Sequence, residues 1–186
     1  MKRRVPDIVM MSGAAEPAWM ESTMRDLVAA SSEVLMAVQH VRLSALHRVI
    51  DALERVDHCR LMLARLDLHM LDGSRPAGDA GRDNIERLLT FAGSGRLEIR
   101  SAGAIRWAPD FSVFQMRDRR CGMFCLFGAH YLAPPHPGLD WPLTCLLTRR
   151  TVIAEVEYHF RELWDAAHDA LGPVAEALER RLWTTR

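Results

Sequence analysis

The stretch Phe111–Tyr131, FSVFQMRDRRCGMFCLFGAHY, decides the architecture. Two apolar runs, FSVFQM and GMFCLFG, flank the charged segment Arg117-Asp118-Arg119-Arg120. That pattern predicts a strand, a tight turn held in water by its charges, and a second strand. RDRR is too short for a helical crossover, so the two strands are expected to run antiparallel. The second run ends in Gly128-Ala129-His130-Tyr131, which places an imidazole near a strand end.

Upstream, helical and extended patterns alternate. Pro17 can open a helix whose apolar face is Trp19, Met20, Met24 and Leu27, and Ser31 and Ser32 break it. EVLMAVQH, ending at His40, reads as a short buried strand. Ser44 is a plausible cap for a helix carrying Leu46, Val49, Leu53 and Val56. CRLMLARL follows as a strand, with Leu61 and Leu63 on one face and Met62 and Ala64 on the other. His69 to Arg82 is rich in Gly, Pro and Asp and is expected to be a loop. NIERLLTF, ending at Phe91, is a helix stopped by Gly93 and Gly95, and Leu97 to Arg100 forms a further strand. Such alternation predicts an α/β fold with right-handed crossovers. Adding the antiparallel pair gives a mixed, mostly parallel sheet flanked by helices.

Downstream, HYLAPPHPGLDWP enforces an irregular path and PLTCLL supplies a last strand. Val152, Val156, Phe160 and Trp164 form the stripe of a long helix that continues to Leu171 and stops at Gly172-Pro173. Val174, Leu178 and Leu182 mark a short final helix. Residues 1–16 read as a flexible leader and 17–186 as a single domain.

At 186 residues and 49% hydrophobic, the chain is long enough for one good core. Its 24 basic and 24 acidic residues cancel, so no whole-molecule field draws it to nucleic acid or membrane. Lys2 is the only lysine; the remaining basic residues are arginines, from bidentate contacts at particular sites or from a coding bias. Cys59, Cys121, Cys125 and Cys145 lack the close spacing of a zinc ribbon or redox pair and are expected to be reduced core cysteines. Neither a metal nor a cofactor is expected. No export leader and no run of membrane-spanning length is apparent, which predicts a soluble cytoplasmic protein.

From about Met24 to Ala170 the order of these elements resembles one half of the phospholipase D-like fold. The resemblance rests on LHRVIDALERVDHCRLMLARL, NIERLLTFAGSGRLEIRS, the hairpin and VEYHFRELWDAA, whose Phe160 and Trp164 match a Phe-x-x-x-Trp helix packed behind the family's active-site segment. Family enzymes carry His-x-Lys, four residues and Asp, then a Gly-Ser-x-Asn-like segment; one such motif per chain implies a dimeric site. Here Phe111 stands in place of the nucleophilic histidine, Val113 in place of lysine and Asp118 at the aspartate, with Gly128-Ala129-His130-Tyr131 near the last segment. Shifting the alignment by one residue, to Asp110 and Ser112, restores neither group. A phenyl ring forms no phosphoryl bond and valine holds no phosphate charge. Ordinary phospholipase or nuclease activity is therefore not expected. The resemblance implies a degenerate, homodimeric binding, regulatory or assembly module.

Other groupings remain open. His40, Arg42, Asp67 and His69 follow strands, and with His130 and Tyr131 they could line a pocket at a strand edge for a small-molecule or phosphate-containing ligand. The competing reading is that strand ends are polar because they meet water. Arg117, Arg119 and Arg120, with Arg149 and Arg150, form a candidate anion-binding surface, or simply a solvated turn. Trp141 is a candidate interface residue. Cys121 or Cys125 with His130 would suggest thiol chemistry, although Phe124 and Phe127 suggest a core strand instead. His159 and His168 read as packing or surface groups. Behind the degenerate module stand two alternatives, a small hydrolase or transferase with an altered His/Arg/Cys pocket and a nucleic-acid-associated factor.

Overall fold

Ser31 ends one element and begins the next. Its hydroxyl donates to the Leu27 carbonyl at 2.6 Å, closing the last turn of helix α1 (Pro17–Ala30), and its backbone opens strand β2 (Ser31–Val38). A computed structural model describes residues 8–12, 17–39, 49–64, 78–103, 110–128 and 143–184. After β2 come a helical segment α2 (49–53), β3 (His58–Leu63), α3 (Gly78–Gly93) and β4 (Leu97–Ser101). The hairpin is β5 (Phe111–Met116) and β6 (Met123–Gly128), followed by β7 (Leu143–Leu147), α4 (Arg150–Ala166), β8 (His168–Asp169) and α5 (Leu171–Thr184). Strand β1 (Ile8–Ser12) precedes them all.

The strands form one eight-stranded sheet in the order β1-β7-β6-β5-β2-β3-β4-β8. A mostly parallel sheet is corrected here. Among the described residues, only β2–β3 and β3–β4 are parallel. The other five pairs are antiparallel. Helical crossovers do make β2, β3 and β4 parallel, as the alternation predicts. The chain then returns to the far side of β2, and every strand laid down there reverses direction. Side-chain alternation reports which face a residue occupies but not which way its strand runs.

Three element boundaries also differ from expectation. Within residues 1–16, assigned to a leader, Ile8–Ser12 pairs with β7 at the sheet edge. Gly78 to Arg82, expected to be loop, belongs to α3. The long helix stops at Ala166, because Ala167 is extended (φ −88°, ψ 157°), rather than running to Gly172. Gly172 and Pro173 instead sit in the first turn of α5, where a missing N–H costs nothing. Val174 makes that helix's first internal bond, to the Ala170 carbonyl at 3.1 Å.

Strand alternation builds two cores. Val34, Met36 and Val38 of β2 face Met24 and Val28 of α1, with α2, α3 and α5 completing that layer. Leu35 and Ala37 face the opposite way, toward Ile153, Phe160, Leu163 and Trp164 of α4. In β3, Leu61 and Leu63 join the first cluster and Met62 and Ala64 the second, as their alternation predicts. Helices thus cover both faces, with α4 on one side.

The hairpin turn is pinned locally. Asp118 accepts the Arg120 N–H through Oδ1 at 2.9 Å and the Cys121 N–H through its carbonyl at 2.9 Å. Gly122 closes the turn at φ +75°, a conformation that side-chain-bearing residues avoid.

Candidate functional site

Antiparallel return of β5, β6, β7 and β1 brings many strand ends to one margin. The carboxyl ends of β2, β3, β4, β6 and β1 meet the amino ends of β5 and β7 there, as Ala37↔Phe111, Phe111↔Phe127, Gly128↔Thr144 and Ser12↔Leu143 require. Asp110 ties three of these ends together. Its Oδ1 accepts the Gln39 N–H at 2.9 Å, and its carbonyl accepts the Gly128 N–H at 2.9 Å. Asp110 is 8% exposed, so removing its carboxylate would leave a shielded N–H without that acceptor.

Directly inside this margin, aromatic rings fill the space under α4. Phe111 is 2% exposed and stacks on Phe127 at 6.3 Å. It meets Phe160 edge-on at 6.3 Å and lies 6.5 Å from the His159 ring. Phe160 in turn stacks on Trp164 at 5.5 Å. Val113, also 2% exposed, sits two residues along the same face. Phe111 and Val113, expected from the resemblance to stand in place of the family's histidine and lysine, are therefore parts of a buried aromatic core. Asp118, expected at its aspartate, lies in the hairpin turn at the opposite margin and holds that turn together.

The two buried cysteines carry neutral thiols. Burial pushes the Cys125 thiol up to about 12 and the Cys59 thiol up to about 12, the latter with help from Glu33, so both stay protonated near neutrality. Cys121 is exposed in the hairpin turn rather than part of the core expected for it. It lies at the other end of β6 from the strand terminus that leads to His130. None of the four cysteines is in a disulfide. No group of three or more His, Cys, Asp or Glu among the described residues could hold a metal ion.

The expected pocket residues His40, Arg42, Asp67, His69, His130 and Tyr131, and the interface candidate Trp141, lie outside the described residues. Their segments leave from Gln39, Ala64, Gly128 and the start of β7, all at the Asp110 margin. Arg117 is committed elsewhere. It donates to the Ser31 and Arg55 carbonyls at 3.3 and 2.5 Å and pairs with Asp57 at 3.6 Å, so it braces the hairpin turn against α2 and β3. Arg119 and Arg120 are exposed in that turn.

A polar network on the α4 face was not foreseen. Glu33 of β2 pairs with Arg60 of β3 at 3.4 Å, Arg60 with Glu98 of β4 at 3.3 Å, and His58 with Glu98 at 2.5 Å. Burial raises the Glu98 carboxyl, but hydrogen bonds from Arg60 and His58 outweigh it and hold the group below its ordinary value. Arg100 lies 4.8 Å from the Trp164 ring centroid and donates to the Trp164 carbonyl at 2.8 Å, capping the end of α4. The signal was present in strand parity: these polar residues share a face with Leu35 and Met62, and Arg60 and Arg100 lie against Trp164 at the end of α4's apolar stripe.

No family model matches the sequence, and no curated protein matches it. Solved structures do. The Nuc phospholipase D family member of Salmonella typhimurium superposes with a TM-score of 0.54 at 11% identity, covering 88% of this chain and 98% of that one. The fold is phospholipase D-like. Phosphatidylserine synthase of Haemophilus influenzae superposes with a TM-score of 0.57 at 16% identity, covering 98% of this chain and 47% of that one. TrmBL2, an archaeal chromatin protein with a novel mode of DNA binding, gives 0.56 at 16% identity over 90% of this chain and 55% of that one. The chain thus spans about half the length of these last two proteins. At such identities the likeness shows the phospholipase D-like fold alone. No helix among the described residues is long and apolar enough to cross a membrane.

Proposed function

We propose that this chain is a catalytically degenerate phospholipase D-like module that binds a ligand at the Asp110 margin of its sheet. One observation carries the proposal. Phe111 and Val113 are buried among Phe127, Phe160 and Trp164 at the positions aligned with the family's histidine and lysine. Attack on phosphorus needs an exposed, basic nucleophile, and phosphate binding needs fixed cations. An aromatic core supplies neither.

The placement of the ligand site is supported by the convergence of strand ends on Asp110, since the segments bearing His40, His69 and His130 begin there. Imidazole and guanidinium groups on those segments suit a small anionic or phosphate-containing molecule. The thiol-based alternative is disfavoured by the protonated, buried Cys125. Metal-free phosphodiester turnover by the purified chain tests the proposal: none is expected, and enzyme-dependent turnover would reject it.

A further inference from the structure

Most described arginines are already engaged. Arg60, Arg82, Arg87 and Arg161 pair with carboxylates, Arg96 and Arg100 bind carbonyls, and Arg117 does both. Six behave differently. Arg25, Arg55, Arg119, Arg120, Arg149 and Arg150 are exposed and make no hydrogen bond or ion pair through their side chains among the described residues.

All six gather toward one margin of the sheet, opposite Asp110. Arg119 and Arg120 occupy the β5–β6 turn. Leu147 pairs with Cys125, so Arg149 and Arg150 emerge beside the start of β6. The Arg117 bond to the Arg55 carbonyl holds the end of α2 against the same turn. Arg25 faces Arg55 across an open groove of about 460 Å³ between α1 and α2, with Ala29 and Ala52 among its lining residues. Two alanines leave the helices too little side chain to close it. Asp26 and Asp51 also line this groove, and the Asp51 carboxylate pairs with Arg87 at 2.6 Å while Arg25 and Arg55 add to the positive field on it.

Two of these arginines stand where local energetics oppose them. Arg149 is the N-cap of the 17-residue helix α4 and makes no side-chain cap bond, and Arg150 begins the helix. Positive charge at a helix N-terminus is repelled by the helix dipole, and Ser, Asp or Asn would serve better as a cap. A stability argument does not explain them; an anionic partner does.

We infer that this margin binds the sugar-phosphate backbone of nucleic acid without reading its sequence. The row from β7 to β3 crosses four strand spacings, roughly 19 Å, which matches about five to six base-pair steps. Arginine suits phosphate through bidentate hydrogen bonding. Arginines set in a row along the sheet margin fit a rod-like polyanion better than a flat bilayer. The large hydrophobic residues exposed among the described residues are Val152 and Tyr158, both on α4, leaving the groove and the turn without an apolar patch for membrane insertion. This surface is distinct from the ligand site proposed above, and either can fail alone.

Fluorescence anisotropy with a labelled duplex of arbitrary sequence, titrated with salt, tests the inference on the full chain. Binding at 50 mM salt is expected, with log K falling against log salt at a slope of about −4 to −5 for five contacts. Combining Arg119→Ala and Arg120→Ala should reduce the slope by about two. Arg149→Asp should also weaken binding although it improves the helix cap, so misfolding cannot account for the loss. No binding at 50 mM salt, binding indifferent to salt, or binding unchanged in these variants would overturn the inference. So would arginine-dependent retention on vesicles of phosphatidylglycerol in phosphatidylcholine with no retention of the duplex.

Discussion

Phe111 ties β5 to the helix that covers it. Its ring contacts Phe127 from β6 and Phe160 from α4, joining the sheet to the helix across its face. Truncating so enclosed an aromatic residue removes its transfer energy and leaves a cavity. Phe111→Ala should lower stability by about 3–5 kcal/mol in urea denaturation; a loss under about 1 kcal/mol would mean that the ring is not core. Glu98 makes a smaller, pH-dependent contribution. Its folded carboxyl lies below its ordinary value, so its stabilisation is present above the unfolded pKa and is lost as pH falls through the folded one. Glu98→Gln should therefore flatten the melting temperature profile on the acid side, below about pH 4.5. Because the carboxylate is 38% exposed, solvent screening limits the effect to on the order of 0.5 kcal/mol. An unchanged acid limb would remove Glu98 from the account. That Phe111 and Val113 are apolar strand residues was legible in the sequence. The Glu33-Arg60-Glu98 chain was not, because it depends on the parallel register that sets Glu33 opposite His58 and Arg60 opposite Glu98.

At the scale of elements, α4 has an apolar face suited to the sheet and an amino terminus poorly suited to a helix. Ile153, Phe160, Leu163 and Trp164 supply the buried stripe. Arg149 and Arg150 supply charge of the wrong sign for the dipole. Arg149→Asp should stabilise the protein by about 1 kcal/mol, seen as a melting temperature roughly 2–4 °C higher. Equal or lower stability would show that the Arg149 charge and its missing cap bond do not cost the helix stability. The helix stripe was readable from residue spacing, whereas its end was not. Ala167 leaves the helix so that His168 and Asp169 can pair with β4, a tertiary demand without a local signal. Likewise Ile8–Ser12 becomes a strand because β7 offers it an edge.

Across the whole molecule, the two margins of the sheet have different characters. Asp110 organises one, where the segments carrying the histidines begin. Uncommitted arginines occupy the other. A formal net charge of zero hides that asymmetry, since composition averages over it. The order of elements was enough to suggest a phospholipase D-like fold, while the direction of the strands beyond β2 required the assembled sheet. The central claim is that the family's chemical centre has become core. Incubating the purified full chain with a chromogenic phosphodiester in chelator tests it most directly. Hydrolysis indistinguishable from buffer is predicted, and steady turnover proportional to protein and lost in His130→Ala would contradict it.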